Sequence, residues 1–355
     1  MIDTLPLEVQ TAKQSRIGEL DSNNIAFGKL FSDHMFIVDY HDGAWQQPKI
    51  LPFGNLIMSP ATSALHYGQT IFEGMKAHKS DQGEVLLFRP LENHKRMNIS
   101  AARMCMPSIP EKLWMEGLVN LIRLDSKWVL QNEGCSLYIR PFMFSIDEFI
   151  GVRASNSYRF MIFSSPAGPY FKEPVKMLIE TKYTRASEGG VGFTKAAANY
   201  GISLYPTKLA QEKGYHQIIW TDAKEHKYID EAGMMNVMFV INNVLVTPDL
   251  STNTILAGIT RDSLMTIAKD WGMKVEERRI SVQEIMDAYQ NKTLQEAFGC
   301  GTAATVALIS TIGYQGKDYV LPPITENSFS KKVSQHFTAI RRGRVEDIHH
   351  WTHKV

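Results

Sequence analysis

The chain reads as a two-domain α/β protein of the mixed α+β kind, on three observations. At 355 residues it is long for one domain, and two are the simpler division. Short β-like runs alternate with amphipathic stretches of helical spacing, most regularly in the second half. Between two of those runs lies PAGPYFKEP at 166–174, with three prolines and one glycine, a linker composition. This predicts a smaller N-terminal domain over 1–167, a linker over 168–174 and a larger domain over 175–355.

In chain order, HMFIVDY at 34–40 and VLLF at 85–88 read as strands. ENHKRMNISAARM at 92–104 has helical spacing, with Met97, Ala101 and Met104 on one face. KLWMEGLVNLIRLDSKWVLQ at 112–131 predicts one long amphipathic helix, and SLYIRPFMF at 136–144 and YRFMIFSS at 158–165 return to strand. Past the linker, KMLIET is a strand, ISLYPTKLAQEKG a helix, and QIIWTD and NVMFVI strands. TRDSLMTIAKDWG follows as a helix with Thr260 as its expected N-cap. EAFGCGTAATVALIS reads as strand, glycine turn, strand, and ENSFSKKVSQHFTAIRRG as a final helix.

Apolar residues make up 44% and charged residues 21%, the balance of an ordinary soluble globular protein. A formal net charge of +1 gives no field to draw in nucleic acid or an anionic membrane. Three cysteines cannot all pair and none has C-x-x-C spacing, so a reducing cytoplasm is expected. MIDTLPLEVQTAKQ has no apolar core of a secretory leader, and no apolar run approaches the ~18 residues of a membrane span. HHWTH near the C-terminus lacks acidic or cysteine companions, so no metal site is expected there. The dispersed methionines read as core filling.

The chemistry concentrates at GGVGFTKAAANYG. Lys195 follows residues Gly189, Gly190, Val191 and Gly192, which allow close backbone approach, and precedes Ala196, Ala197 and Ala198, which leave room for a flat group. A lysine amine forms a Schiff base with an aldehyde, and pyridoxal phosphate is the best-known partner. Such a cofactor also needs a carboxylate at its pyridine nitrogen, an anion site for its phosphate and a donor at its phenolic oxygen. Glu231 in YIDEAGMMN is the candidate carboxylate; its neighbour Asp230 should face the other way and reads as a solvated turn acid. Arg96 can grip phosphate through two hydrogen bonds, with Arg89, Lys95 and Arg103 as competitors in the same stretch. AGITRDSL supplies a glycine and a helix start at which the N–H groups of Ile259 and Thr260 could hold phosphate. The turn GCGTAAT adds the Thr302 hydroxyl.

Together, LHYGQTIFEGMKA at 65–77, LFRPLENHKRM at 87–97, SLYIRPF at 136–142, GGVGFTKAAANYG at 189–201 and GITRDSL at 258–264 resemble the branched-chain amino acid aminotransferases, of the fold-type IV pyridoxal phosphate enzymes. The resemblance runs from FGKLFSDHM at 27–35 to Trp351. It implies a two-domain fold-type IV aminotransferase, a homodimer with the site near the subunit interface, exchanging amino groups between leucine, isoleucine or valine and 2-oxoglutarate. It implies Lys195 as the Schiff-base lysine, Tyr200 at the phenolic oxygen and Glu231 at the ring nitrogen. Arg96, Ile259, Thr260 and Thr302 would hold the phosphate. Phe27, Tyr67, Phe72, Tyr138 and Tyr170 would line the substrate pocket, Arg140 would meet the distal carboxylate of glutamate, and Ala303 with Tyr67 would meet the α-carboxylate. The chain departs from the family at Met234, where a threonine is common, and at Thr302–Ala307, where some relatives carry a redox C-x-x-C. A D-amino acid aminotransferase or an aminodeoxychorismate lyase would share the lysine and glutamate but not LHYGQTIFEGMKA. A cofactor carrier without turnover would need neither the pocket aromatics nor Arg140.

Overall fold

The computed structural model describes residues 5–22, 24–171 and 173–355. The opening MIDT and Lys172 of the linker stretch lie outside the described residues. The chain forms two compact units, and a single cut does not separate them. The first runs through Tyr170 and takes in Thr194–Ala198 and Ala339–Val355; the second comprises Phe171–Phe193 and Asn199–Thr338. The lysine segment and the C-terminal tail thus belong to the first unit, although the sequence assigned both to the second half.

The described residues of the first unit hold a ten-stranded sheet. Its order is Glu8–Val9, Lys49–Pro52, His34–His41, Tyr158–Ala167, Ser136–Ser145, Met75–Lys79, Val85–Phe88 and Thr352–Lys354, with two short strands off this path. Pairing is antiparallel except at the Glu8–Val9 edge. Phe36, Phe160 and Trp114 are fully buried, and the Trp114 and Phe160 rings stack at 5.7 Å. Side chains of this kind each contribute roughly 1.5–3 kcal/mol by burial.

The helix expected over 112–131 ends at Leu124. Asp125, buried, accepts the His34 backbone N–H at 3.0 Å and pairs with the His34 ring at 2.6 Å. Those long-range bonds turn the chain out of the helix, and a 3₁₀ turn then buries Trp128. Tertiary bonding here outweighs the amphipathic pattern.

The described residues of the second unit hold a nine-stranded sheet, ordered Ile229–Ala232, Gln217–Thr221, Val175–Ile179, Thr305–Tyr314, Leu294–Gly301, Asn236–Ile241, Val244–Thr247 and Val275–Glu277, with Lys317–Val320 on Thr305–Tyr314. Val175–Ile179 runs parallel to both neighbours, and the hairpins around it are antiparallel. Its core is a large cluster around Val237, Phe239, Ile285 and Ile312, with a smaller one of Ala210, Ile218 and Trp220. The helices expected over 202–214, 260–272 and 326–343 are present, with shifted ends, as Leu204–Glu212, Ile259–Asp270 and Phe329–Arg341. A further helix, Val282–Gln290, lies beyond the expected elements, and Ser281 caps it by accepting the Glu284 N–H at 3.0 Å.

Candidate active site

In the first unit, Lys195 is held through its backbone. Its carbonyl accepts the Phe72 N–H at 3.1 Å, its own N–H donates to Ser100 Oγ at 3.0 Å, and the Ala197 N–H donates to Thr70 at 3.0 Å. The segment therefore lies along Thr70–Phe72 like an added strand, with Ala196 opposite Ile71. Ala196 is fully buried, so its small size serves packing there, while Ala198 is exposed. Lys195 Nζ lies 4.6 Å from the Phe72 ring centroid.

One face of the helix Pro90–Arg103 builds the next part, since Asn93, Arg96 and Ser100 recur at helical spacing. Arg96 Nε donates to Glu73 Oε1 at 2.7 Å and Nη2 to Oε2 at 2.9 Å. Asn93 and the Gly74 N–H add bonds to Oε2 at 2.7 and 3.1 Å. Burial alone would raise the Glu73 carboxyl; Arg96, together with Lys195 and Asn93, outweighs it and holds the group below its usual range. Of the four basic candidates, only Arg96 is buried. Arg89 leans on Trp351, Lys95 pairs with Glu92 at 2.7 Å in solvent, and Arg103 is exposed.

On the strand Ser136–Ser145, Tyr138 and Arg140 share a face because they alternate with Ile139. The Arg140 guanidinium lies 4.6 Å from the Phe72 ring and 5.3 Å from the Tyr138 ring, and Nη2 donates to Tyr138 Oη at 3.1 Å. Arg140 Nε is buried with no hydrogen-bond partner among the described residues. Phe27 joins Tyr138 and Tyr170 edge-on at 5.1 and 5.5 Å. Gly74 makes room for this cluster: a Cβ there would stand 2.2 Å from Tyr138 Oη. The structure thus gathers Phe27, Phe72, Tyr138, Arg140 and Tyr170. Tyr67 instead ends the short helix Ser63–Tyr67, half exposed, with its ring against His66.

In the second unit, Glu231 lies on the strand Ile229–Ala232, all of whose residues are buried. Oε1 accepts the Leu256 N–H at 2.7 Å, and Oε2 stands 3.3 Å from Arg185 Nε as an ion pair without hydrogen-bond geometry. Arg185 in turn donates to the carbonyls of Gly192 and Thr254 at 3.2 and 2.5 Å. Gly192 admits this approach, since a Cβ would meet the Thr254 carbonyl at 2.5 Å. Asp230 is buried, not solvated as the sequence suggested, because its strand is covered on both faces.

The helix Ile259–Asp270 is capped by Gly258, not by Thr260, which lies buried in its first turn. Glycine has no side chain to offer the cap, so among the described residues the helix start has no side-chain cap bond. Thr302 and Ala303 form the tight turn joining Leu294–Gly301 to Thr305–Tyr314, with Thr305 at φ +63°. Tyr200 sits half-buried in a one-turn helix, Ala198–Gly201, and Met234 is exposed in the turn after Gly233. Sequence reasoning missed Glu73, Ser100 and Arg185. Only Glu73 had a local signal, its place in LHYGQTIFEGMKA.

The parts present are an amine against an aromatic ring, a buried carboxylate, a buried guanidinium and a helix start without a side-chain cap. Residues 70–312 match the family Amino-transferase class IV. The chain is 42% identical to branched-chain-amino-acid aminotransferase 2 of Bacillus subtilis, over 99% of this chain and 97% of that one. The chain belongs to the branched-chain-amino-acid aminotransferases. Among solved structures, this aminotransferase superposes on the Escherichia coli branched-chain amino acid aminotransferase with a TM-score of 0.73 at 27% identity, covering 90% and 98% of the two chains. It also superposes on the branched-chain aminotransferase of Thermoproteus uzoniensis with norvaline, with a TM-score of 0.75 at 25% identity, covering 90% and 99%. No helix among the aminotransferase's described residues is long and apolar enough to cross a membrane.

Proposed function

We propose that this aminotransferase uses pyridoxal phosphate to exchange amino groups between branched-chain L-amino acids and 2-oxoglutarate. One observation carries the reading. The Phe72 ring has Lys195 Nζ at 4.6 Å and the Arg140 guanidinium at 4.6 Å, so one aromatic frame holds both a reactive amine and a carboxylate receptor. The orphaned Arg140 Nε supports it, because a buried donor gains from an anionic partner. The donor set also fits the cofactor, with Glu231 for the ring nitrogen and Arg96 with the helix start at Ile259 and Thr260 for the phosphate.

Pyridoxal phosphate, when bound, supplies the electron sink that makes a substrate α-proton acidic. Lys195 Nζ, as a neutral amine, would take that proton from the substrate α-carbon and deliver it to the cofactor carbon, so that the amino group stays with the cofactor. Glu231 holds the proton on the ring nitrogen, because a nearby anion favours the cationic form. Arg96, the N–H groups of Ile259 and Thr260 and the Thr302 hydroxyl grip the phosphate, and Tyr200 bonds the phenolic oxygen. Tyr67 and the Ala303 backbone meet the substrate α-carboxylate. Phe27, Phe72, Tyr138 and Tyr170 take an aliphatic side chain. For leucine over alanine the gain from that burial is roughly 1.5–3 kcal/mol. Arg140 takes the distal carboxylate of glutamate.

The enzyme works as a homodimer in the cytoplasm on this reading. Ile57, Leu65, Ile150 and Val152 are exposed on two segments joined by Ser63 N–H to Asp147 at 2.8 Å and Phe149 N–H to Ala61 at 3.2 Å, an apolar patch of the kind that marks an interface. The cytoplasm rests on cysteine usage, three residues with no C-x-x-C spacing. Single-turnover kinetics test the function. L-leucine and L-glutamate should both react, and Arg140→Met should slow the glutamate half-reaction at least tenfold more than the leucine half-reaction. Faster turnover of D-alanine than of L-leucine would overturn the reading.

A further inference from the structure

Glu231 is not the only acid on its strand that the fold withholds from water. Asp230, its neighbour, is only 8% exposed. It borders a cavity of about 460 Å³ within the second unit. The two carboxylates are tied together through one segment. Asp230 and Thr254 line that cavity together, and Thr254 pulls the Asp230 carboxyl down. The Thr254 carbonyl accepts Arg185 Nη2 at 2.5 Å, Arg185 Nε stands 3.3 Å from Glu231 Oε2, and Leu256, two residues past Thr254, gives its N–H to Glu231 Oε1 at 2.7 Å. The guanidinium paired with Glu231 therefore also acts through its charge on buried Asp230.

We propose that Asp230 is a positioning residue for Glu231. Through Thr254 and Arg185 it sets the net charge that Glu231 presents to the ring nitrogen of the cofactor, and the adjoining cavity gives it access to solvent protons. This rests on the assignment of Glu231 to that nitrogen. With a proton on Asp230, Arg185 and Glu231 balance. Without it, the group carries one net negative charge and Glu231 favours the protonated ring more strongly. Burial and the charge of Glu231 raise the Asp230 carboxyl to about 7, against the pull of Arg185 and Thr254. The change of charge therefore falls in the neutral range.

The other groups facing the cavity do not replace this role. Asp222 is saturated by four backbone N–H groups, those of Lys224, Glu225, Lys227 and Tyr228, at 2.7–3.3 Å, which keep it ionised. Asp249 caps Ser251 at 2.9 Å. The Arg279 guanidinium stacks 3.7 Å from the Tyr228 ring. Glu188, Lys224 and Glu225 are exposed side chains on the same walls.

The test uses holoenzyme loaded with pyridoxal 5'-phosphate carrying ¹⁵N at the ring nitrogen, whose chemical shift reports protonation, followed from acid to alkaline pH. The wild type should show a step in the shift with a midpoint near 7, and Asp230→Asn should abolish it. Thr254→Val, which deletes the hydroxyl but keeps the shape, should move the midpoint upward, and it serves if Asp230→Asn does not fold. Glu231→Gln should change the ring signal at every pH. If Glu231→Gln leaves the signal unchanged, the assignment of Glu231 itself is wrong. If Glu231→Gln moves it while Asp230→Asn and Thr254→Val keep the wild-type midpoint, Asp230 merely fills the strand and the proposal is overturned.

Discussion

Each unit buries a glutamate against an arginine, and the two pairs are built differently. Glu73 and Arg96 meet side-on through two hydrogen bonds of 2.7 and 2.9 Å, and Asn93 and the Gly74 N–H fill further acceptor positions on Glu73. Glu231 and Arg185 approach only to 3.3 Å, and Arg185 also answers to Asp230. A saturated pair has one geometry and one charge. A shared arginine leaves a charge that can be adjusted. On the proposed roles, the first arrangement suits a guanidinium that must stay aimed at a phosphate, and the second a carboxylate whose strength matters to the chemistry.

The largest expected effect is on the saturated pair. Glu73→Gln removes the carboxylate that balances buried Arg96 and should cost about 3–5 kcal/mol of stability, read from urea unfolding. Glu231→Gln should cost less, about 1–2 kcal/mol, because Asp230 remains to face Arg185 and an amide oxygen can still accept the Leu256 N–H. Equal losses in the two variants would erase the distinction. In kinetics the order should reverse in kind. Glu231→Gln should stay folded and lose roughly 10²–10³-fold in kcat, the scale of one preorganised electrostatic contact, measured at saturating leucine and 2-oxoglutarate. Near-normal turnover would place the ring-nitrogen contact elsewhere.

The pH dependence of stability also divides the units. In the first, His78 is buried with neither ring nitrogen bonded among the described residues. Burial, then the charges of Arg341, Lys76 and Arg342, hold its pKa well below the ordinary value of 6.5. Below that value the unfolded chain takes up a proton that the folded chain refuses, so stability is lost as pH falls. Asp230 has the opposite sign. Its folded value of about 7 lies above the ordinary 3.8, so its contribution is present in acid and lost as pH rises through 7. Urea midpoints of His78→Gln should fall less than wild type between pH 6.5 and 5, and those of Asp230→Asn should fall less between pH 5 and 7. Variants that track wild type in either window would remove that group from the account.

Much of the local structure around the candidate site was legible because its signals are local. Lys195, Glu231 and the helix start at Ile259 each sit in a short segment whose glycines and apolar runs specify turn, strand or helix without reference to distant residues. Tyr138 and Arg140 share a face by strand alternation alone. The cap of Val282–Gln290 is equally local, in Ser281 and Glu284. Other features were not local. The helix from Glu111 keeps its amphipathic pattern beyond Leu124, yet Asp125 leaves it for His34, ninety-one residues away in sequence.

What the sequence by itself determined is the set of chemical groups and the local backbone that carries them, because residue type and periodicity act over a few positions. Only the tertiary structure decided that the Lys195 segment joins the first unit as a strand beside Thr70–Phe72, that Glu73 seizes Arg96 from twenty-three residues away, and that Asp230 is buried beside Glu231. Each of these depends on which surfaces meet when the chain closes on itself. Burial changes the energy of a charge, and nothing in the residues flanking Asp230 records how much water the finished fold will leave it.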